Sequence, residues 1–599
     1  MPEVLEKQKV LKGGEFLIAD ATPESTFTPE SFSEEQRMVK QMVLDFIEQD
    51  IFPNLDKIEK REDDIAPRLL EKMAELGLLG SHMPEAFGGM GMDTNTNTLI
   101  CDVMGGSSGS FTVSYAAHTG IGMLPILYYG TEAQKEAWLP RLIDGELKAA
   151  YCLTEPGSGS DATAAKTTAM RDGDEWVLNG QKMWISNAGF ADVFIVFAQA
   201  DGDKFTGFIV PRDTPGLTLG AEEEKLGIKG SSTRQVFFEN ARIPADAFLG
   251  EIGKGHLIAF NVLNVGRFKL HALSIGGARR ALTIGINYAN ERVQFKQAIA
   301  NFGAIKHKIG EAAIQIFTGE SALYRVSQQI QSMNEALKAE GKTFAEAKRL
   351  SAEEYAIECA LLKFIGSELL DYTVDEVLQI HGGMGYSEET LAPRMYRDAR
   401  INRIYEGTNE INRLLSVSQL MRRAMKGALD IVGPAWNVQK ELAKPADTTA
   451  PEGVYGAEIK AVANFKKAIL MVVGAAAKAQ MDGKLDLKEE QEIVMNVSDM
   501  LADLLNAEST LLRLRQLREN GRATQPREVL DAILKVYLHD ANARMAKNGL
   551  DAVAGFAEGE LLDTFVAGIR RFTSYPPQNV KALRRTVAEH CIAANEYAL

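Results

Sequence analysis

Cysteine is scarce, with four in 599 residues. Cys101, Cys152, Cys359 and Cys591 lie far apart and form no CxxC pair. That excludes a zinc ribbon and a disulfide framework. Histidine numbers eight, with no HExxH-like spacing, so no metal site is expected. Positive charge is in deficit: 66 Lys and Arg face 81 Asp and Glu, for a net charge of -15. Nucleic acid and anionic lipid both need basic patches, so neither is an expected partner. No uncharged apolar run reaches the ~20 residues of a membrane-spanning helix. The first arginine is Arg37, preceded by Glu3, Glu6, Glu15, Asp20, Glu24 and Glu30. Such a segment lacks the marks of a transit peptide or a secretory signal. A cytoplasmic protein of bacterial type is the expectation.

The length implies several cores, since domains usually hold ~100–200 residues. Residues 1–30 read as a loose arm. Residues 31–149 read as helical, opening with a capping box at Ser33 and Gln36. Residues 150–256 carry short β-type runs such as VFIVFAQ and FTGFIVP between turn residues, and predict an antiparallel β domain. Residues 257–425 are helical again. Residues 426–456, with Pro434, Pro445 and Pro451, read as a linker, and 457–599 as a helical extension. The order is helices, then strands, then helices, so the fold class is mainly α with a central β domain. Strands and helices do not alternate, which disfavours a parallel-sheet nucleotide fold.

Several motifs invite other readings. Gly105-Gly106-Ser107-Ser108-Gly109 fits G-x-S-x-G, but its surroundings look helical, and a hydrolase elbow needs a strand before the turn. A small-residue turn or close helix contact is the better reading. Gly341-Lys342-Thr343 lacks the earlier glycine of a phosphate loop, because Ala336 stands there. His381 reads as a packing or hydrogen-bonding residue. Two stretches are richer. Residues 151–161, YCLTEPGSGSD, combine hydroxyls, glycines and Pro156 in a loop that lets a bulky polar ligand approach. In RIYEGTNEINR, Glu406 sits on a Gly-flanked turn, where a carboxylate with a raised pKa can act as a base. The alternative is a salt-bridged glutamate, given Arg397, Arg400, Arg403 and Arg413 nearby.

These two stretches closely resemble the signature regions of the acyl-CoA dehydrogenases. WISNAG, NERVQF and QIHGGMGY follow in the family's order. The resemblance spans about residues 30–425. KLGIKGSSTRQVFFENARIP, LNVGRF, NFGAIKHKIG and the C-terminal extension are most similar to the very-long-chain branch. It implies a helical domain, a middle β domain and a four-helix bundle, assembled as a homodimer.

The resemblance also implies FAD as cofactor, acyl-CoA as substrate and an electron-transfer flavoprotein as partner. Glu406 is then the catalytic base. Tyr151, Leu153, Thr154, Gly159 and Ser160 cradle the flavin, and Trp184, Ile185 and Ser186 form its second wall. Arg292, Gln294 and Phe295 contact the ADP half. Gln379, Gly382 and Gly383 contact the cofactor of the neighbouring subunit. Thr408, Asn409 and Glu410 are further flavin contacts. Asn264 and Arg267 hold CoA, with Ser160, Tyr405 and Gly407 beside the substrate. Some relatives place the base at the position of Gly266, so here only Glu406 is left for the role. An oxidase that lets oxygen reoxidise the flavin stays open as an alternative, as does a non-catalytic assembly protein. The intact base and flavin loop speak against the latter. Residues 426–460 mix lysines with acids and prolines, so no interfacial helix and no stable membrane binding are expected.

Overall fold

A computed structural model describes residues 10–447 and 449–599. Its N-terminal unit runs from the Glu34–Phe46 helix to the Glu132–Ile143 helix. The expected capping box is present: Gln36 N–H donates to Ser33 Oγ at 3.1 Å, and Ser33 N–H to Gln36 Oε1 at 3.0 Å. The Gly-Gly-Ser-Ser-Gly stretch joins the Thr94–Gly105 and Gly109–Ala116 helices. No strand precedes it among the described residues, which removes the nucleophile elbow.

The middle unit is an eight-stranded sheet: β1 (Ala149–Cys152), β2 (Thr168–Asp172), β3 (Glu175–Ser186), β4 (Val193–Ala200), β5 (Lys204–Pro211), β6 (Leu217–Glu222), β7 (Thr233–Pro244) and β8 (Phe248–Leu249). The order is β6-β7-β3-β2-β4-β5-β8, with β1 paired to β4. The antiparallel expectation needs one amendment, because β1 and β2 both run parallel to β4. β4 is buried along nearly its whole length, as a strand covered on both faces must be.

The long Gly255–Glu291 and Gly303–Ala339 helices, with Ala356–His381 and Asn409–Met425, form the bundle behind the sheet. Small residues let helices touch at the backbone. A Cβ on Gly276 would fall 1.7 Å from the Asp102 carbonyl oxygen, and one on Gly105 2.1 Å from that of Leu273. Gly276→Ala must therefore push two helices apart, with an expected loss of ~1–3 kcal/mol. Denaturant melts check this, and an unchanged midpoint would contradict the close contact.

Five helices from Gly456–Met481 to Val580–Ala594 form the extension. It shares one hydrophobic cluster with the bundle. Buried ion pairs cross the seam: Arg325–Glu508 at 2.7 Å and Arg513–Glu320 at 2.8 Å. The linker expected at 426–456 contains a helix of its own, Val432–Leu442, anchored by buried Val438. The arm is not loose where it is described. Phe16 and Leu17 are buried, Lys466 Nζ donates to Ala19 O, and Glu30 pairs with Arg513 at 2.7 Å. Its apolar residues lack periodicity because distant elements bury them. Residues 1–9 of the arm lie outside the described residues. No helix among the described residues is long and apolar enough to cross a membrane.

Candidate active site

Glu406 lies on the turn that enters the Asn409–Met425 helix, at φ 58°, and Gly407 follows at φ 81°. Glycine adopts this left-handed conformation freely, whereas for glutamate it costs roughly 1–3 kcal/mol. The neighbourhood enforces it. Asn412 Nδ2 donates to the carbonyls of Glu406, Gly407 and Thr408 at 3.3, 2.8 and 3.0 Å. Arg267 Nε donates to the Glu406 carbonyl at 3.2 Å. Thr408 caps the helix, accepting from Ile411 N–H at 3.2 Å.

The carboxyl group faces Gly266, where a Cβ would stand 2.5 Å from Glu406 Oε2. Glycine at that position makes room for the base itself. The residue is only partly buried as a whole, but Oε2 is buried without a hydrogen-bond partner. Burial pushes the Glu406 carboxyl up to about 7, against the opposing pull of Arg267 and Lys363. Glu406 makes no salt bridge among the described residues, so the charged-surface alternative falls away.

The carboxyl group borders a cavity with about 1150 Å³ of empty space, its open mouth included. Ser186 and Tyr405 line the same cavity, with Gly266, Lys269 and the 105–121 segment. The resemblance named Glu406, Ser186 and Tyr405, and the three border this one cavity. It did not single out Lys269, Asp398 or Arg280, which also line the cavity. The only sequence signal for that wall was the run of small residues at 105–109.

The 151–160 loop leaves β1 in a tight turn, where Glu155 and Ser158 exchange backbone bonds of 3.0 and 3.1 Å. Beneath it, the Glu155 carboxylate accepts from Lys166 N–H at 2.6 Å, Thr167 N–H at 3.0 Å and Lys182 Nζ at 2.6 Å. Lys182 and Glu155 are both buried. Thr154 O accepts from Met183 N–H at 3.0 Å, so the loop is tied to β3. There a bulge between Lys182 and Ile185 carries Trp184 at φ 60° and leaves its ring half exposed. A bulge re-aims one side chain out of the sheet. Gly157, Gly159 and Ser160 face open space, since a Cβ on either glycine meets nothing within 4 Å and Ser160 is exposed. Tyr151, Leu153 and Ile185, expected to touch a flavin, are buried in the sheet cores instead. Burial and then the Glu406 charge push the Tyr151 phenol up, which places it close to the base.

A second group is separate. The Arg292–Gln297 tip is exposed, with Phe295 and Lys296 both at positive φ in a two-residue hairpin. His381 stacks on Tyr288 at 4.2 Å and bonds Val377 O, which sets exposed Gln379, Gly382 and Gly383 beside the base of that hairpin. None of these residues lines the Glu406 cavity.

Three expected contacts are placed otherwise. Asn264 and Arg267 are 6% and 5% exposed and bond each other at 2.9 Å. They brace the Glu406 turn from inside, rather than offering a surface to CoA. Asn409 is 2% exposed and its side chain is taken up by Lys363, Ser367 and Glu368. As the first residue of a helix it turns inward, while Glu410 stays exposed. No cluster of metal-ligating side chains occurs among the described residues.

Comparison with known proteins agrees with this geometry. Models for the acyl-CoA dehydrogenase N-terminal domain, middle domain and C-terminal domain match residues 33–146, 150–241 and 253–421. A further acyl-CoA dehydrogenase C-terminal domain model matches 464–571. The chain belongs to the acyl-CoA dehydrogenase family. A probable acyl-CoA dehydrogenase of Bacillus subtilis is 43% identical over 98% of this chain and 99% of its own length. An acyl-CoA dehydrogenase from Bacillus anthracis, solved in complex with FAD, superposes with a TM-score of 0.95 at 42% identity, over 98% of this chain and 100% of that one. The very long-chain specific enzyme of Rattus norvegicus is 38% identical over 61% of this chain and 54% of its own.

Proposed function

We propose that the chain catalyses FAD-dependent α,β-dehydrogenation of an acyl-CoA to the trans-2-enoyl-CoA, the first step of fatty-acid β-oxidation, and that it hands electrons to an electron-transfer flavoprotein. The observation that carries this reading is the buried, unpartnered Oε2 of Glu406 in a cavity shared with Ser186. Open space around Gly157 and Gly159 and the out-turned Trp184 suit a large planar cofactor. Thr154, Ser160, Trp184 and Ser186 are the residues that would hold it. FAD supplies the acceptor for the β-hydride.

The α-proton of a thioester is only weakly acidic. A base removes it best when its pKa lies near the working pH. Burial gives Glu406 that property. The Glu406 backbone N–H has no acceptor among the described residues, and it can donate to the thioester oxygen. One such donor is worth ~3–4 kcal/mol. Asn412 and Arg267 hold the turn so that base and donor stay in register.

The exposed Arg292–Phe295 hairpin and the Gln379–Gly383 turn would complete the cofactor site of a second copy, in a homodimer. Light scattering of the holoprotein tests that assembly, and a monomer would exclude it. The reaction is tested by anaerobic flavin bleaching across a panel of acyl-CoA thioesters. Reoxidation by an electron-transfer flavoprotein rather than by oxygen then separates dehydrogenase from oxidase. A flavoprotein that no acyl-CoA bleaches would sink the reading.

The pH dependence follows from the base. Only the carboxylate form accepts a proton, so kcat/KM is expected to rise with pH through a midpoint near 7. A profile flat across that midpoint would show that another group takes the proton.

A further inference from the structure

The Gly255–Glu291 helix separates two cavities. Gly266, Leu270 and Leu273 line the catalytic one, and Val265, Phe268 and Ala272 line the other. The second holds about 650 Å³ of empty space, its open mouth included. Lys269 lines both. Its Nζ comes within 4.0 Å of where a Cβ on Gly120 would stand, and Gly120 borders the catalytic cavity.

Lys269 is 9% exposed. Among the described residues it makes no ion pair and no hydrogen bond, and no carboxylate lines the second cavity. The group that best supports its charge is the Cys101 thiol, which burial itself pushes up and away from the thiolate. Lys348 and His82 line the second cavity as well, and His82 Nε2 is buried with no hydrogen-bond partner. Three basic nitrogens thus surround a space whose lining holds no carboxylate, and Asp93, outside the lining, is the one acid that supports Lys348. An unpaired buried amine is costly, and an apolar side chain would serve a purely hydrocarbon tail better.

We propose that Lys269, backed by Lys348 and His82, forms an anion subsite for a carboxylate on the acyl tail, so that the substrate class includes ω-carboxyacyl thioesters. This rests on the acyl-CoA dehydrogenase reading above. Position agrees with it. Lys269 follows Gly266, which faces the Glu406 carboxyl, by three residues, or ~4.5 Å along the helix. The subsite therefore meets the tail soon after the reacting carbons, where Lys269 borders the catalytic cavity. Neither carboxyl group of the catalytic cavity pairs with Lys269 among the described residues: Asp398 accepts from Ile228 N–H, and Glu406 is aimed at Gly266. A site built to pair with a polar group discriminates strongly against ligands that lack it.

The test compares ω-carboxyacyl-CoA with methyl-terminated acyl-CoA of matched medium lengths, in the holoenzyme and in Lys269→Met. Two quantities are read: kcat/KM for flavin reduction, and Kd for the corresponding enoyl-CoA by calorimetry. The wild type is expected to favour the ω-carboxy ligand. Lys269→Met should shift both ratios toward the methyl-terminated ligand by about ten- to a hundredfold, the range of a charge-assisted hydrogen bond. Its Tm should hold or rise, because a buried unpaired charge is removed. A shift under about threefold overturns the subsite. So does a fall in Tm with equal losses for both ligands, which would mark a structural lysine. A free dicarboxylate that competes with methyl-terminated acyl-CoA only in the wild type, with no preference among thioesters, would place a loose anion there and overturn the substrate form. If neither thioester reduces the flavin, the dehydrogenase reading fails, and the Kd ratio still decides the subsite.

Discussion

Glu406→Gln is expected to yield a folded, flavin-binding protein whose turnover is about 10²–10⁴-fold lower, the usual contribution of a positioned general base. The substitution keeps the size and polarity of the side chain and removes its ability to take a proton. Asp398 is the other carboxyl group on the cavity wall. It cannot stand in, because it is committed to the Ile228 N–H and packs under Gly109. Stability should move the other way. Burial raises the folded-state value of Glu406 from 4.5 to about 7. Between those two values the folded chain holds the extra proton, so stability declines as pH rises through the window and stays lower above it. The glutamine variant escapes that decline and should melt no earlier than the wild type above pH 7. Near-normal turnover with the best acyl-CoA would remove Glu406 from the role of base.

Lys182→Met should cost ~3–5 kcal/mol, the penalty for leaving one partner of a buried ion pair alone. The Lys182 side chain is 0% exposed and that of Glu155 6%. Lys182 Nζ also donates to Leu153 O at 3.2 Å, so one ammonium holds both the carboxylate and the backbone of the 151–160 loop. Burial pushes Glu155 up, but the bonds from Lys182, Thr167 and Lys166 outweigh it and leave it low. Without the lysine the carboxylate has only two N–H donors in a dry site. The variant should lose bound flavin along with stability. Lys182→Met combined with Glu155→Gln should recover much of the stability, since the amide keeps an acceptor for the N–H groups and carries no charge. Denaturant titration and flavin content read both effects. A loss below about 1 kcal/mol for the single variant would mean that water or a neighbour already compensates the charge.

Local signals in the sequence were read well. The Ser33 capping box, the strand runs of the sheet and the Gly-flanked Glu406 each depend on neighbours a few residues away. Signals that depend on distant partners were not legible. Nothing around Phe16 says that a bundle and an extension will bury it. The parallel pairing of β1 with β4 joins segments about forty residues apart, with no hairpin turn to announce it. Asn409 and Arg267 carry the polar character of ligand contacts, and only the folded chain shows that their hydrogen bonds are already taken from within. Lys269 sits in an apolar helical run, where a lysine reads as a solvent-facing residue, and its burial emerges only once two cavities meet at one helix.

Glu30 and Arg513 are 483 positions apart in the chain, so this anchor of the arm cannot form until residue 513 has been made. A ribosome adds ~5–20 residues per second, so Glu30 waits tens of seconds for its partner. The seam between the arm and the extension is therefore expected to close late in folding.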